Sequence, residues 1–405
     1  MTPNLSKQSW GLSNGYRHKE IVVMRFSYKL FILIYLVFIT ILCFFMFPSH
    51  DLLFYYYPWS LNLQLSYYDG PPLIAYIIRL FTMLFGHNIF SLNFFGVGIA
   101  IATCYVIIKI GELLHSHHFG IVAACMWLVY PFSTTRFIFA TLNYDCLDNL
   151  FSLFCILFIL CYLKNYKTIY LYLAGVAAGM GLLSKYTVVV AILGLIVYFI
   201  LRQRKVFLRV HVYIAIMLGI ILFAPVLIWN YSHNWASFKY QLGVHSWAAT
   251  QHSSGHAGIS GVWFYICSDV LGVMHISILI LLAIWWKHRT HASTVGISNK
   301  EGIQLLWIVC IAYFIFWLSL AYHAHVAMNY LLFPDSLLII LTCYYLYYYN
   351  YFKAINIFNI LFVLTSMIML INRTFIAVPE PSDLNKLQQL QLQHHRWDFN
   401  AKNEN

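Results

Sequence analysis

Two aspartates in one aromatic loop are the strongest chemical signal in this sequence. The segment from His50 to Pro72 carries Asp51 and Asp69 among tyrosines and a tryptophan, in a chain with only 13 acidic residues among 405. A carboxylate beside apolar segments is costly to desolvate, so its presence there favours a functional role. Such a group accepts a proton or orients a polar partner. We therefore expect this loop to carry chemistry.

The elements that position this loop are membrane helices. The chain is 61% hydrophobic and 9% charged, with a mean hydropathy of +0.73, which excludes a soluble globular domain. Windows of about 20 apolar residues predict an all-α polytopic membrane protein with about 11 transmembrane helices. The predicted spans are 30–47, 90–111, 118–138, 146–163, 169–184, 185–202, 208–230, 261–286, 303–322, 327–348 and 354–374.

One apolar run is too short to span. The residues from Leu73 to Phe85 follow Pro71 and Pro72, which a helix tolerates at its start, and they contain Arg79. We expect a helix that lies at the membrane interface.

Basic residues indicate the orientation of the spans. Most of them, including Lys164, Arg204 and Lys353, fall between spans on one side, which the positive-inside rule assigns to the cytoplasm. The formal charge of +11 therefore reflects topology rather than nucleic-acid binding. The sequence predicts a cytoplasmic N-terminal tail over 1–29, an uncleaved first anchor, and a polar external C-terminal tail over 377–405.

The acidic residues sort to the opposite side. Asp145 and Asp148 fall with Asp51 and Asp69 on the external face or at the external ends of spans. Asp269 and Asp335 lie within spans, where either a functional role or a helix–helix hydrogen bond explains a buried acid. These two alternatives stay open at this stage.

Neither cysteine nor histidine patterns indicate a metal site. The nine cysteines lie almost wholly in apolar segments without a CxxC motif, so we interpret them as buried apolar residues. The histidines of the external segment 231–260 match no ligand spacing, and a polar loop is favoured over a metal site. We predict no cofactor and no metal ligands, while dependence on a divalent metal stays open.

Several stretches resemble, in the same order, motifs of glycosyltransferase family 39, the protein O-mannosyltransferase and aminoarabinose transferase group. They are YYYPWSLNLQLSYYDGPPLIAYIIRLFTMLFG in the first outer loop, NYDCLDNLF at a short Asp-containing turn, GMGLLSKYTVVVAILGL, and PVLIWNYSHNWASFKYQ. The similarity runs from about Phe44 to Gln241. Two departures stand out: with Trp59 and Ser60 aligned, Asp51 lies one residue before the family's leading acid, and the turn at Asp145 lacks the family's proline.

The resemblance implies a GT-C-like bundle over 30–376, with interfacial helices in a first external loop at 48–89 and a second long external loop at 231–260. It implies an active site at the outer membrane boundary that takes a lipid-linked sugar. The implied catalytic residues are Asp51, Asp69 and Asp145. The implied donor-phosphate residues are Lys185, Arg79 and Arg136. The implied substrate residues are Tyr55, Tyr56, Trp59, Tyr68, Asp148, His233 and Lys239. An interfacial aromatic belt is the alternative explanation for the tyrosines and tryptophan.

The function that this resemblance implies is transfer of a sugar from a polyprenyl phosphate. The acceptor would be a glycolipid, a lipopolysaccharide or other polysaccharide, or a protein at the external face of a bacterial inner membrane, and the anomeric configuration would be inverted. No nucleic acid is involved. The alternatives are a transporter or flippase for a lipid-linked or small solute, in which the outer carboxylates would bind a proton or cation, and a non-catalytic scaffold.

Overall fold

A computed structural model describes residues 28–41, 52–130, 144–245, 259–288, 300–323, 328–361 and 363–364. The described residues form helices joined by short turns. In chain order the helices are α1 (Tyr28–Ile41), α2 (Tyr57–Leu61), α3 (Leu73–Phe85), α4 (Ile89–Leu114), α5 (His117–Val129), α6 (Tyr144–Asn165), α7 (Ile169–Ser184), α8 (Val188–Arg202), α9 (Val210–Ser232), α10 (Ala236–His245), α11 (Ile259–Phe264), α12 (Leu271–His288), α13 (Lys300–Ala321), α14 (Leu332–Tyr348) and α15 (Phe352–Leu361). Short π-helical segments occupy Leu52–Tyr56 and Tyr265–Val270. Short 3-10 helical segments occupy Arg204–Leu208 and Met328–Leu331.

Each of the eleven predicted spans overlaps a described helix, and the parts of three spans at 42–47, 131–138 and 365–374 lie outside the described residues. Among the described residues, α4, α6, α9 and α13 are long and apolar enough to cross a membrane, and eight further apolar helices are shorter. The chain is therefore an integral membrane protein with an all-helical fold. The number of helices that cross the bilayer stays a prediction.

The bundle is organised around α6. This helix packs against α4 and α7, and α14 also contacts it. It is the most enclosed of the four long apolar helices, whereas α9 is the least enclosed and packs mainly on α7. Because α6 begins with Tyr144 and Asp145, its enclosed position carries those side chains into the interior of the bundle.

Small residues allow α7 and α9 to approach closely. Gly175 of α7 lies against the backbone of Ala215, and Gly179 lies against Gly219. A Cβ atom added to Gly179 would come 2.8 Å from the Gly219 carbonyl oxygen, closer than packed atoms tolerate. The close approach fixes the end of α7 where Lys185 follows, as small residues do between membrane helices.

The short apolar run after the two prolines forms the expected helix. α3 buries Leu73, Ile74 and Ile78 against the bundle, and it exposes Met83 and Leu84. It ends at Gly86, whose φ of 82° suits glycine. The placement of α3 at the membrane surface stays a prediction.

Candidate active site

Four polar or aromatic residues begin α6 inside the bundle. Tyr144, Asp145, Asp148 and Asn149 occupy its first two turns, and Asp145 and Asp148 are both buried. Their spacing of three residues places the two carboxylates on one face of the helix. Two acids buried so close together need compensating partners.

Lys185 is the partner of Asp145. It lies in the turn between α7 and α8, where its extended backbone ends α7, and its side chain is buried. Its Nζ atom forms an ion pair with Asp145 Oδ1. The same Nζ atom lies 4.8 Å from the ring centre of Tyr144 and 4.2 Å from that of Tyr330. An acid and two aromatic faces thus hold a buried cation, an arrangement in which each contact compensates for lost water.

Asp148 fastens α6 to the same turn. Thr187 donates a hydrogen bond of 2.6 Å to Asp148 Oδ2, and Ser152 donates one of 3.1 Å to Oδ1. Both carboxylate oxygens are therefore engaged by protein hydroxyls. This geometry favours a positioning role for Asp148 over the direct substrate contact that the sequence predicts.

Asp69 belongs to the first loop, and the contacts described below join this loop to the Lys185 turn. Its side chain is only partly buried, whereas Asp145 and Lys185 are buried. Asp69 is therefore the more accessible of these two carboxylates.

Asp69 does not cap α3, a structural task that its position just before Gly70 and Pro71 would allow. α3 has Pro72 at its N-cap position, and no side chain caps the helix. Gln241 of α10 instead donates a hydrogen bond of 2.7 Å to the Asp69 carbonyl oxygen, and its Nε2 atom lies 3.4 Å from Asp69 Oδ1. The loop that bears Asp69 is thus held by α10.

Other contacts join the first loop and the Lys185 turn to α9 and α10. Trp229 Nε1 donates a hydrogen bond of 3.1 Å to Gln64 Oε1. The Tyr186 hydroxyl, next to Lys185, lies 2.9 Å from Ser237 Oγ on α10. The segment that begins at the end of α9 therefore ties the Asp69 loop to the Lys185 turn, which gives the PVLIWNYSHNWASFKYQ stretch a structural role.

The predicted aromatic residues divide into two groups. Trp59 stacks on Tyr67 with 4.4 Å between ring centres, and Tyr56 packs edge-on against both Trp59 and Tyr144. These contacts stabilise the first loop. Tyr55 and Tyr68 are exposed, 47% and 57% respectively, and Tyr68 packs against Tyr240 at 4.9 Å. Tyr68 therefore presents an aromatic surface directly beside Asp69.

Three other predicted residues lie apart from the ion pair. His233 is exposed and stacks on Trp229 with 4.0 Å between ring centres, and Lys239 is exposed on α10. Arg79 is partly exposed on α3. No hydrogen bond or ion pair among the described residues joins any of the three to Asp145 or Lys185. Asp51 and Arg136 lie outside the described residues.

Tyr330 is the main site residue that sequence reasoning missed. It follows α13 by nine residues and comes from the last third of the chain, beyond the stretch that carries the resemblance. Only the external position of that turn in the predicted topology pointed toward the site.

Asp335 has a different environment from the site acids. It is fully buried in α14, and its two oxygens accept no hydrogen bond from the described residues. The helix–helix hydrogen bond considered for Asp335 is therefore not present. The side chain of Asp269 lies outside the described part.

Candidate metal ligands do not cluster in the part of the chain that the structure describes. No group of three or more His, Cys, Asp or Glu residues there is placed to hold a metal ion. His252 and His256 of the second external loop fall outside it.

The fold matches that of a solved membrane enzyme. The crystal structure of ArnT from Cupriavidus metallidurans bound to undecaprenyl phosphate superposes with a TM-score of 0.62 and 14% identity, over 78% of this chain and 59% of that one. The apo structure of the same protein superposes with a TM-score of 0.63 and 15% identity, again over 78% of this chain and 59% of that one. The chain has the GT-C fold. The predicted fold class is thereby confirmed.

Sequence comparisons support the same assignment over part of the GT-C chain. Residues 69–229 match the family model described as dolichyl-phosphate-mannose-protein mannosyltransferase. Lipid A galacturonosyltransferase RgtD of Rhizobium johnstonii (strain DSM 114642 / LMG 32736 / 3841) is 26% identical over 198 residues, which cover 48% of this chain and 41% of that protein. The chain thus spans less than two thirds of the length of RgtD and of ArnT. The resemblance to glycosyltransferase family 39 is confirmed.

The matched segment contains most of the site. Asp69, Asp145, Asp148 and Lys185 lie within it, whereas Asp51 precedes it and Tyr330 follows it. The ion pair and the partly exposed carboxylate therefore lie in the segment of this chain that matches the family model.

Proposed function

We propose that this protein is a membrane glycosyltransferase that moves a sugar from a polyprenyl phosphate to an acceptor at the external face of a bacterial inner membrane. The observation that carries the proposal is the buried Lys185–Asp145 ion pair, together with the contacts of α10 with both the Asp69 loop and the Lys185 turn. A fixed cation and a nearby carboxylate are what glycosyl transfer from a phosphate requires. The cation stabilises the departing phosphate, and a carboxylate accepts the acceptor's proton.

The proposed step is a direct displacement with inversion. The acceptor oxygen attacks the anomeric carbon and forms the new glycosidic bond, while the bond from that carbon to the phosphate oxygen breaks. The electron pair leaves with the polyprenyl phosphate, whose charge Lys185 neutralises. A hydroxyl acceptor loses its proton to a carboxylate, and a phosphate acceptor needs only to be oriented.

We assign the three catalytic aspartates different tasks. Asp145 is paired with Lys185, so it holds the lysine in place. Asp51, which lies one residue before the position of the family's leading acid, acts as the general base. Asp69 is partly exposed beside Tyr68 and orients the acceptor. Arg79 and Arg136 provide further positive charge for the donor phosphate.

The substrate is held at the rim of the external loops in this proposal. Tyr68 and Tyr55 offer exposed aromatic surfaces for the sugar. Tyr56, Trp59, Asp148 and His233 support that rim through their packing and hydrogen bonds. Lys239, exposed on α10, can meet an anionic group of the acceptor.

The names of similar proteins guide the choice of substrates. ArnT is described as bound to undecaprenyl phosphate, and RgtD is named as a lipid A galacturonosyltransferase. We therefore favour a polyprenyl-phosphate sugar as donor and a glycolipid as acceptor. Both names favour a transferase over the transporter alternative. The proposed step uses a proton acceptor and a cation that the chain itself supplies, so it requires no cofactor.

The decisive experiment follows the lipid product. Membranes containing this protein are incubated with a polyprenyl-phosphate sugar labelled in both sugar and lipid, with and without acceptor glycolipid. A transferase releases labelled polyprenyl phosphate and labels the acceptor. A transporter leaves the donor intact and only changes its membrane side, and that result would reject the proposal. Repetition in the presence of a chelator tests dependence on a divalent metal.

A further inference from the structure

A cavity lies between α12, α13 and α14, away from the ion pair. Its volume is about 590 Å³, within the range of roughly 300–1,000 Å³ typical of ligand pockets. Its walls are apolar and aromatic, and they include Leu281, Leu282, Trp285, Trp307, Phe314 and Leu338. The indole Nε1 of Trp307 donates a hydrogen bond of 3.2 Å to the Tyr345 hydroxyl. With that polar atom satisfied within the protein, the walls suit a hydrocarbon.

The cavity has one polar end. His288 stacks on Tyr349 with 3.7 Å between ring centres, and both residues line the cavity. The Nε2 atom of His288 also lies 3.0 Å from the Tyr351 hydroxyl. Lys287 is exposed and its Nζ atom lies 4.9 Å from the Tyr351 ring centre. A cation therefore stands next to the polar end.

This polar end is at the opposite end of the bundle from the Lys185–Asp145 pair. α14 begins next to Tyr330 and reaches Tyr348 after 17 residues, a rise of about 25 Å. The helix ends at the same end of the bundle as Tyr348 carry more exposed basic residues than acidic ones. The exposed basic residues are Lys164, Lys167, Arg202, Arg204 and Lys205. Such a basic face attracts anionic lipid headgroups.

We propose that this cavity binds an acyl chain of an anionic glycerophospholipid whose headgroup contacts Lys287. The hydrocarbon would lie between the three helices, and Leu282 and Trp285, which are 54% and 63% exposed, leave the cavity open to the surrounding lipid. A bound donor fits less well, because its phosphate belongs at Lys185 on the other face. The site is therefore separate from the proposed transfer reaction.

The test measures lipid retained by the purified protein. Full-length protein in nanodiscs of equal phosphatidylglycerol and phosphatidylethanolamine is extracted into mild detergent, and bound lipid is counted by native mass spectrometry. We expect one retained phosphatidylglycerol. Leu282→Trp, which fills the opening, is expected to lower its retention about tenfold, the effect of excluding about two methylene groups. Leu279→Trp is the matched control, since Leu279 is similarly exposed on α12 but does not line the cavity.

Further variants distinguish the contribution of the lipid headgroup from that of the acyl chain. Lys287→Gln is expected to abolish the preference for phosphatidylglycerol, whereas Lys205→Gln at the same face is expected to preserve it. Leu338→Phe fills the cavity from its inner wall if Leu282→Trp fails to fold. Equal retention by the Leu282 and Leu279 variants would overturn the site. Displacement of phosphatidylglycerol by polyprenyl phosphate would overturn it too, because it would assign the cavity to the donor tail.

Discussion

Lys185 is a charged side chain kept in a buried position by an acid and two aromatic rings. The pair with Asp145 and the faces of Tyr144 and Tyr330 replace the water that the ammonium group would have in solution. Loss of either member of such a pair leaves the other charge uncompensated, which costs about 3–5 kcal/mol. The stability of the site and its catalytic use of Lys185 are therefore coupled and must be measured separately.

A double variant separates the two effects. Lys185→Gln is expected to slow donor turnover by about 1.5–3 kcal/mol through the lost charge-assisted hydrogen bond, and to lower thermal stability because Asp145 loses its partner. Adding Asp145→Asn should restore much of the stability, since residue 145 then no longer carries a charge that has lost its partner, while turnover stays low. Thermal unfolding and single-turnover donor consumption provide the two measurements. Unchanged donor kinetics in folded Lys185→Gln would remove Lys185 from the site.

The carboxylate that accepts the proton is tested by amide substitutions. Asp51→Asn is expected to abolish transfer to a hydroxyl acceptor without loss of folded protein, because an amide keeps the shape but cannot accept a proton. Asp69→Asn is expected to reduce transfer less. Product formation is compared at equal amounts of monodisperse protein. Near-full activity of Asp51→Asn, together with an inactive Asp69→Asn or Asp145→Asn, would transfer the role to that residue.

At the scale of helices, the contact between α7 and α9 determines where the Lys185 turn lies. Gly179→Ala is expected to destabilise the protein by about 1–3 kcal/mol, because the added methyl group meets the backbone of Gly219 and the side chain of Leu222. Gly243→Ala in α10 is the control, since a Cβ atom there meets no neighbour within 4 Å. Thermal unfolding in detergent measures both. Equal stability of the two variants would contradict the close packing of these helices.

Hydropathy was sufficient to predict where the helices lie in the sequence, but it did not predict which residues of different helices contact each other. The apolar windows predicted a helix at every described span, and the two prolines predicted the start of α3 within one residue. The distribution of charge predicted that Asp145 and Lys185 lie on the same membrane face, and their pairing agrees with that prediction. By contrast, the approach of Tyr330 to Lys185 joins residues 145 positions apart in sequence. No local pattern encodes a contact of that kind.

The role of Asp148 was also beyond the sequence. Its acidic side chain and external position suggested contact with substrate. The structure favours a positioning role instead, because the hydroxyls of Thr187 and Ser152 donate hydrogen bonds to the two carboxylate oxygens of Asp148. Ser152 is one helical turn away and was predictable as a neighbour, whereas Thr187 is reached only through the packing of α6 on the α7–α8 turn.

For the whole molecule, the proposed reaction depends on which membrane face carries the ion pair. The basic helix ends predict a cytoplasmic N-terminus and an external C-terminus. A reporter active only outside the cytoplasm should give a signal when fused after Ile376 and none when fused after Lys353. The reverse pattern would place the Lys185–Asp145 pair on the cytoplasmic side and would contradict an external reaction.

The long separation between Lys185 and Tyr330 has a consequence for biosynthesis. Membrane proteins are made from the N-terminus onward, so Asp145 and Lys185 are inserted well before the ribosome reaches the turn that bears Tyr330. Until then the ammonium group has an acid and the ring of Tyr144 beside it, but its contact with Tyr330 is missing. A nascent chain truncated before α13 would contain the complete family-like segment, yet its site would still lack one wall. Completion of the site is therefore a late event in the synthesis of this protein.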